Sequence, residues 1–203
     1  MTRKIDLKDR IRTLIAQIEI LTREEIELLT EKTIADTFKK GTVLLREGEI
    51  RSKCYMVVQG CVREYMIVDG EEKSTAFYTE GDKFTPFSQE GVIAPSKHYW
   101  ECVEDCILTI SDKDFEQEIR ALIPRLDAIF QHIAIKKMDE DKDKWSRFIS
   151  SSPEERYLHL LATRPSLFNR APHHQIASYL GMKPESLSRI RKRIFDKRKR
   201  GTN

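Results

Sequence analysis

The stretch His173–Arg193, HHQIASYLGMKPESLSRIRKR, admits few folds. It reads as two short helices joined by a tight turn, with the second helix strongly basic. Ala177, Gly181, Leu187 and Ile190 stand where a helix-turn-helix needs a small residue, a turn glycine and two apolar anchors. A side chain larger than that of Ala177 would push the crossing helices apart, and Gly181 can take the left-handed conformation that ends the first helix. Proline at a first helical position costs no hydrogen bond, so the second helix is expected to begin at Lys183 to Pro184. On it Leu187, Ile190 and Ile194 recur at steps of three and four and face Ile176, Ala177 and Leu180.

The opposite face carries the chemistry. Glu185, Ser188, Arg189 and Lys192 follow the same period on the outside. An arginine there can pair with guanine O6 and N7, and a glutamate can accept from cytosine N4. Glu185, Ser188 and Arg189 are therefore candidate base contacts, with Lys183, Ser186, Arg191, Lys192 and Arg193 as candidate backbone contacts. An ordinary amphipathic helix with a solvated charged face would leave the turn chemistry and the charge imbalance as separate coincidences. That imbalance is large: from Lys183 onward nine Lys and Arg residues face only Glu185 and Asp196, although the whole chain of 203 residues carries a net charge of just +3. The remainder is net acidic, as suits a domain that does not itself touch DNA.

Charged residues make up 34% of the chain and hydrophobic ones 39%, so the surface is heavily charged and two modest cores are expected. No stretch approaches the run of about 18–20 apolar residues that crosses a bilayer, and the amino terminus lacks a signal-like apolar core. A cytoplasmic protein with no membrane partner is expected. The cysteines, Cys54, Cys61, Cys102 and Cys106, then default to reduced thiols, and Cys102 and Cys106 would face the same way if they share one strand.

Residues 5–34 read as helical, with an apolar stripe of Ile11, Leu14, Ile15 and Ile18 and a capping-box pattern from Thr22 to Glu25. From Phe38 turn signals recur at Lys40-Gly41, Glu47-Gly48, Gln59-Gly60, Asp69-Gly70 and Glu80-Gly81, between runs such as CYMVV, CVREYMIV and STAFY. Turns every ten or so residues indicate short antiparallel strands in a barrel or jelly roll, and Asp-Gly marks a tight hairpin. After Ile107–Ile110 the helical period returns, and Pro124 opens a long helix in which Leu126, Ile129, Phe130 and Ile133 form a dense seam. Such a seam is too wide for packing on the barrel alone and is expected to meet its twin across a two-fold axis. A charged run, Asp139–Lys144, follows before Trp145 and Phe148 dock the helix onto the next domain. Ser150–Pro153 is the hinge, Ser152 caps a helix over 154–163, and Arg164-Pro165 stops it.

On these residues the chain resembles the Crp/Fnr family of bacterial transcription regulators over nearly its whole length. The ESLSR run, Glu185 to Arg189, is similar to the recognition helix of the Fnr branch, which implies a palindromic DNA site with TTG-like half-site cores, a homodimer, and RNA polymerase as a partner. Gly41, Glu47-Gly48, Tyr55 to Gly60, Asp69-Gly70 and Gly81-Asp82 match the family's cyclic-nucleotide-binding β-roll. The ligand cassette departs from the pattern: Phe84-Thr85-Pro86 stands in place of Phe-Gly-Glu, and Pro95–Trp100 in place of the Pro-Arg-Ala-Ala-like stretch. A cyclic phosphate needs a fixed cation, so cyclic AMP is not expected. The candidate effector pocket is Phe84, Thr85, Lys97, His98 and Tyr99, with the effector unknown. Cluster-bearing Fnr proteins use cysteines near the amino terminus, and residues 1–53 have none, so no iron–sulfur cluster is expected.

The expected fold is α+β: an antiparallel, jelly-roll-like β-roll with leading helices over 1–123, a dimerisation helix and hinge over 124–150, and a helix-turn-helix domain over 151–203. Its wing is expected to be missing or vestigial, with a Lys- and Arg-rich tail after the recognition helix. No catalytic or metal residues are expected. Two alternatives stay open: a ligand-free DNA-binding dimer whose roll is only a scaffold, and a cupin-like enzyme with a DNA-binding module.

Overall fold

A computed structural model describes residues 6–50, 52–84 and 95–200, with side chains described to residue 196. Two short helices, α1 (Leu7–Ile15) and α2 (Arg23–Lys32), lead the chain. The expected capping box opens α2: the Thr22 hydroxyl accepts from the Glu25 N–H, and the Glu25 carboxylate accepts from the Thr22 N–H. Arg125 reaches the same carboxylate at 2.5 Å. Its hydrogen bond and that of the Thr22 N–H hold the Glu25 carboxyl down at about 2.

Among the described residues eight strands follow, β1 (Ile34–Phe38), β2 (Val43–Leu45), β3 (Cys54–Gln59), β4 (Val62–Val68), β5 (Glu71–Tyr78), β6 (Lys83–Phe84), β7 (Tyr99–Cys102) and β8 (Cys106–Ser111). They form two antiparallel sheets in the orders β1-β8-β3-β6 and β2-β7-β4-β5, the roll that the turn spacing implies. Asp69 and Gly70 both take positive φ, 52° and 76°, as a two-residue hairpin between β4 and β5 requires. The first strand starts at Ile34, not near Phe38 as the turn pattern suggests. Its five residues are all exposed or half-buried and lack apolar alternation, so only their ladder with β8, from Ile34 opposite Ile110 to Phe38 opposite Cys106, makes them a strand.

Between the sheets lie Leu45, Tyr55, Val57, Val62, Phe84, Trp100, Cys102, Cys106 and Leu108. Burial of each large apolar side chain contributes about 1.5–3 kcal/mol. The aromatic rings interlock: Phe84 stacks on Tyr55 at 5.3 Å and on Tyr78 at 4.7 Å, and meets Trp100 edge-on at 5.0 Å. A half-buried carboxylate also meets this cluster. Glu64 accepts from Trp100 Nε1 (2.9 Å), the Tyr78 hydroxyl (3.2 Å) and the Thr75 hydroxyl (2.8 Å). Cys102 and Cys106 do not share a strand; they flank the turn by which the chain passes from one sheet to the other, and both are free thiols.

The rest is helical: α3 (Lys113–Leu122), α4 (Leu126–Ser150), α5 (Pro153–Thr163), α6 (Leu167–Arg170), α7 (His173–Tyr179) and α8 (Pro184–Arg200). The 25 residues of α4 span about 37 Å at 1.5 Å per residue. Its opening turns are used within the protomer. Leu126 packs with Ile119 and Ile123, Ile129 with Ile11, Ile15 and Met56, and half-buried Ile133 lies against the same group. The expected seam is thus corrected: of its members only Phe130 is exposed, because α1 and α3 cover the others. Further along, Met138, Trp145 and Ile149 are each about two-thirds exposed. Phe148 does dock on the next domain, while Trp145 stacks on it from the solvent side.

Candidate nucleic-acid interface

Helix α5 begins where expected, with Pro153 in its first turn and a second capping box between Ser152 and Glu155. Its Tyr157 and Leu160 join Leu167, Ala171, Ile176, Ala177, Leu180, Leu187 and Ile190 in one core. Ile176 and Ala177 are fully buried where α7 crosses α8, which is why only a small residue fits at 177. The turn between them closes in a Schellman motif: the Met182 N–H donates to the Ala177 carbonyl and the Gly181 N–H to the Ser178 carbonyl, both at 3.0 Å. Gly181 has φ +65°, and a Cβ there would lie 3.0 Å from Phe148 Cζ. The four-residue helix α6 has no counterpart in the sequence reading, since Arg164-Pro165 and Ala171-Pro172 bracket it too closely for a periodic signal.

With Leu187 and Ile190 buried, Glu185, Ser188 and Arg189 all point to solvent, as do Lys183 and Lys192. Arg189 is steadied by the half-buried Ser186 hydroxyl at 3.3 Å. Two of the candidate backbone contacts are already engaged. Arg191 reaches the His173 ring at 2.9 Å, and Arg193 forms an ion pair with Glu154 on α5. Partial burial and the nearby Arg191 charge lower the His173 pKa. Side chains from Lys197 onward lie outside the described residues, so the basic tail is not placed.

The four described candidate effector residues do not converge. Phe84 lies in the roll interior. Tyr99 alternates with the interior Trp100, is half-buried, and stacks on Tyr65 at 5.0 Å, on the other face of the sheet. Lys97 is exposed, and His98 sits in the preceding bend with its N–H bonded to the Ser96 hydroxyl. Thr85 lies outside the described residues. Among the described residues no group of three or more His, Cys, Asp or Glu side chains could hold a metal ion.

The sequence reading missed how the helix-turn-helix meets the roll. Helix α7 lies along β5, the edge strand of its sheet. The Ser178 hydroxyl accepts from the Ser74 N–H (3.0 Å) and donates to the Glu72 carbonyl (3.2 Å), and Tyr179 meets Phe77 edge-on at 5.4 Å. Arg170 spans two turns of the roll, bonding both oxygens of Glu80 (2.7 and 2.8 Å) and Glu104 (2.8 Å). Arg164 donates to the Phe77 carbonyl and the Thr79 hydroxyl, each at 2.9 Å, and reaches Asp82 at 3.4 Å. Burial alone would raise the Glu80 carboxyl, but the Arg170 guanidinium and the Gly60 N–H outweigh it and hold that carboxyl below its ordinary value. No spacing rule announces such pairings; arginines beside two helix-stopping prolines were their only trace.

Residues 35–121 match the family model of the cyclic nucleotide-binding domain. The transcriptional activator protein FnrA of Stutzerimonas stutzeri is 24% identical over 165 residues, covering 75% of this chain. The match spans 66% of that protein's own length, just under two-thirds. Among solved structures, FixK2 from Bradyrhizobium japonicum superposes with a TM-score of 0.67 at 18% identity, over 81% of this chain and 85% of that one. The c-di-GMP responsive global regulator CLP of Xanthomonas campestris gives 0.66 at 17% identity, over 87% and 93%.

Proposed function

We propose that the chain is a member of the DNA-binding Crp/Fnr family and acts as a homodimeric transcription regulator reading a two-fold symmetric DNA site through α8. One observation carries the reading: Glu185, Ser188 and Arg189 stand in line on the exposed face of a helix whose other face is buried under α7. Arginine and glutamate in that line suit the edges of a G·C pair, while Lys183, Ser186 and Lys192 lie ready for phosphates. Binding to a pool of random duplexes, followed by sequencing of the retained DNA, tests it. A palindrome with half-site centres about 34 Å apart is expected, and the absence of any enriched sequence would refute base reading.

The second copy belongs on α4. Phe130, Met138, Trp145 and Ile149 recur along one side of that helix and are exposed, an unusual set of large apolar groups for a surface. A twin helix would cover them and hold two recognition helices at a fixed separation, and RNA polymerase is the partner a regulator of this kind would recruit.

The roll favours the scaffold reading over a cyclic nucleotide effector. Its described interior is filled by interlocked rings, and the described charged group bonded to them is the half-buried Glu64 carboxylate, where a cyclic phosphate needs a cation. Calorimetric titration with cyclic AMP and with cyclic di-GMP should show no heat of binding; saturable binding of either would overturn this point.

A further inference from the structure

Two independent features meet where the DNA-binding domain touches the roll. One is a pair of arginines from α5's end and α6, which grip two separate turns. Arg164 holds Phe77 near the end of β5 and Thr79 and Asp82 on the turn between β5 and β6. Arg170 holds Glu80 on that same turn and Glu104 on the turn between β7 and β8. The other is Ser178, which completes the hydrogen bonding of the edge strand at Ser74 and Glu72. Cys61, Phe77 and Val103 of the roll share one apolar core with Leu167, Ile176 and Leu187. Yet the covalent joint between the two parts is a two-serine link, Ser151 and Ser152, between α4 and α5.

From this geometry we infer that Arg164 and Arg170 are positioning residues: they fix the DNA-binding domain on its own roll in the one pose that lets both recognition helices meet a palindrome together. The inference rests on the regulator reading above and deepens it. Docking takes up the Ser178 and Tyr179 side of α7 and leaves Glu185, Ser188 and Arg189 exposed, so the held pose is open to DNA. Without the two arginines the domain would be held by the apolar core, Ser178 and Phe148 alone and would sample more orientations, and a site needing two helices at a set distance would select the few that fit. Binding to a single half-site asks nothing of that separation. The two arginines therefore act on cooperation between half-sites and leave the reading of each unchanged. The turn they share lies directly before β6 and Phe84, so a rearrangement in the roll's interior has a route to the DNA-binding domain through Asp82 and Glu80.

The full-length Arg164→Gln/Arg170→Gln double variant tests this. Two measurements are made, and one needs no DNA. The Ser74 amide, bonded to Ser178 across the boundary, reports docking by hydrogen exchange. Its exchange should quicken about tenfold or more in the variant, while the Ile176 and Ala177 amides inside the helix-turn-helix stay protected and show that the domain is folded. Unchanged Ser74 protection would overturn the clamp whatever DNA does. On DNA, affinity for the selected palindrome should fall about fivefold or more while affinity for a duplex bearing one half-site is kept. Equal affinity for the palindrome would overturn the positioning role. Arg170→Lys with Arg164 intact should recover much of the loss, since it keeps the charge near Glu80 and Glu104 but not the fork. If the wild type itself selects no sequence, the regulator reading fails, and the exchange of Ser74 still decides the clamp.

Discussion

Arg189 leaves the surface of α8 with its guanidinium near the Ser186 hydroxyl, aimed where a base edge would lie. Arg189→Ala should cost about 1–3 kcal/mol at the selected site and far less on random duplexes, measured by competition binding. An equal loss on both would show that Arg189 holds only phosphate. Glu25 offers a second residue-scale expectation. Its carboxyl is held at about 2, against an ordinary 4.5, because Arg125 and the Thr22 N–H bond to its ionised form. Folding therefore favours the carboxylate: the stability it lends is complete above pH 4.5 and is lost as pH falls through about 2. Carboxyl titration by NMR should return Glu25 toward 4.5 in Arg125→Ala, and an unmoved titration would dissociate the two groups. At this scale the sequence announced the capping box at Thr22, but Arg125 lies a hundred positions away and no pattern paired it with Glu25.

Elements whose signals are local were legible, and those defined by distant partners were not. The helix-turn-helix declared itself through Ala177, Gly181 and the period of Leu187, Ile190 and Ile194, all acting within about twenty residues of one another. Asp69-Gly70 declared its hairpin for the same reason. Strand β1 did not, because Ile34–Phe38 carries no alternation and is a strand only by its ladder with β8. The seam of α4 misled: a dense run of Leu126, Ile129 and Ile133 looks alike whether a twin or the molecule's own α1 and α3 cover it. The helix-turn-helix signal supports a test of its own. Gly181→Ala places a side chain at φ +65° against Phe148 and should lower stability by about 1 kcal/mol or more by denaturant titration. A neutral result would mean that the turn relaxes freely.

For the whole molecule, the opening turns of α4 and its middle make opposite expectations. Ile129→Asp buries a charge among Ile11, Ile15 and Met56, so it should unfold the protomer's helical layer and lower the melting temperature sharply. Met138→Asp places a charge at an exposed position and should leave melting of the protomer intact while sedimentation shows a monomer. A folded Met138→Asp dimer would put the two-fold contact elsewhere. The docking of α7 on β5 also bears on how the protein fares when its halves are parted. Ser178 satisfies backbone groups that would otherwise face outward from a sheet edge, and an unguarded edge is a template for pairing with another chain. A chain cut after Ser150 would carry the roll with β5 bare, its Ser74 N–H and Glu72 carbonyl open to the same strand of a neighbour. Proteolysis at the serine link would thus do more than separate reader from scaffold: it would turn a dispersed protein into one that seeds its own precipitation.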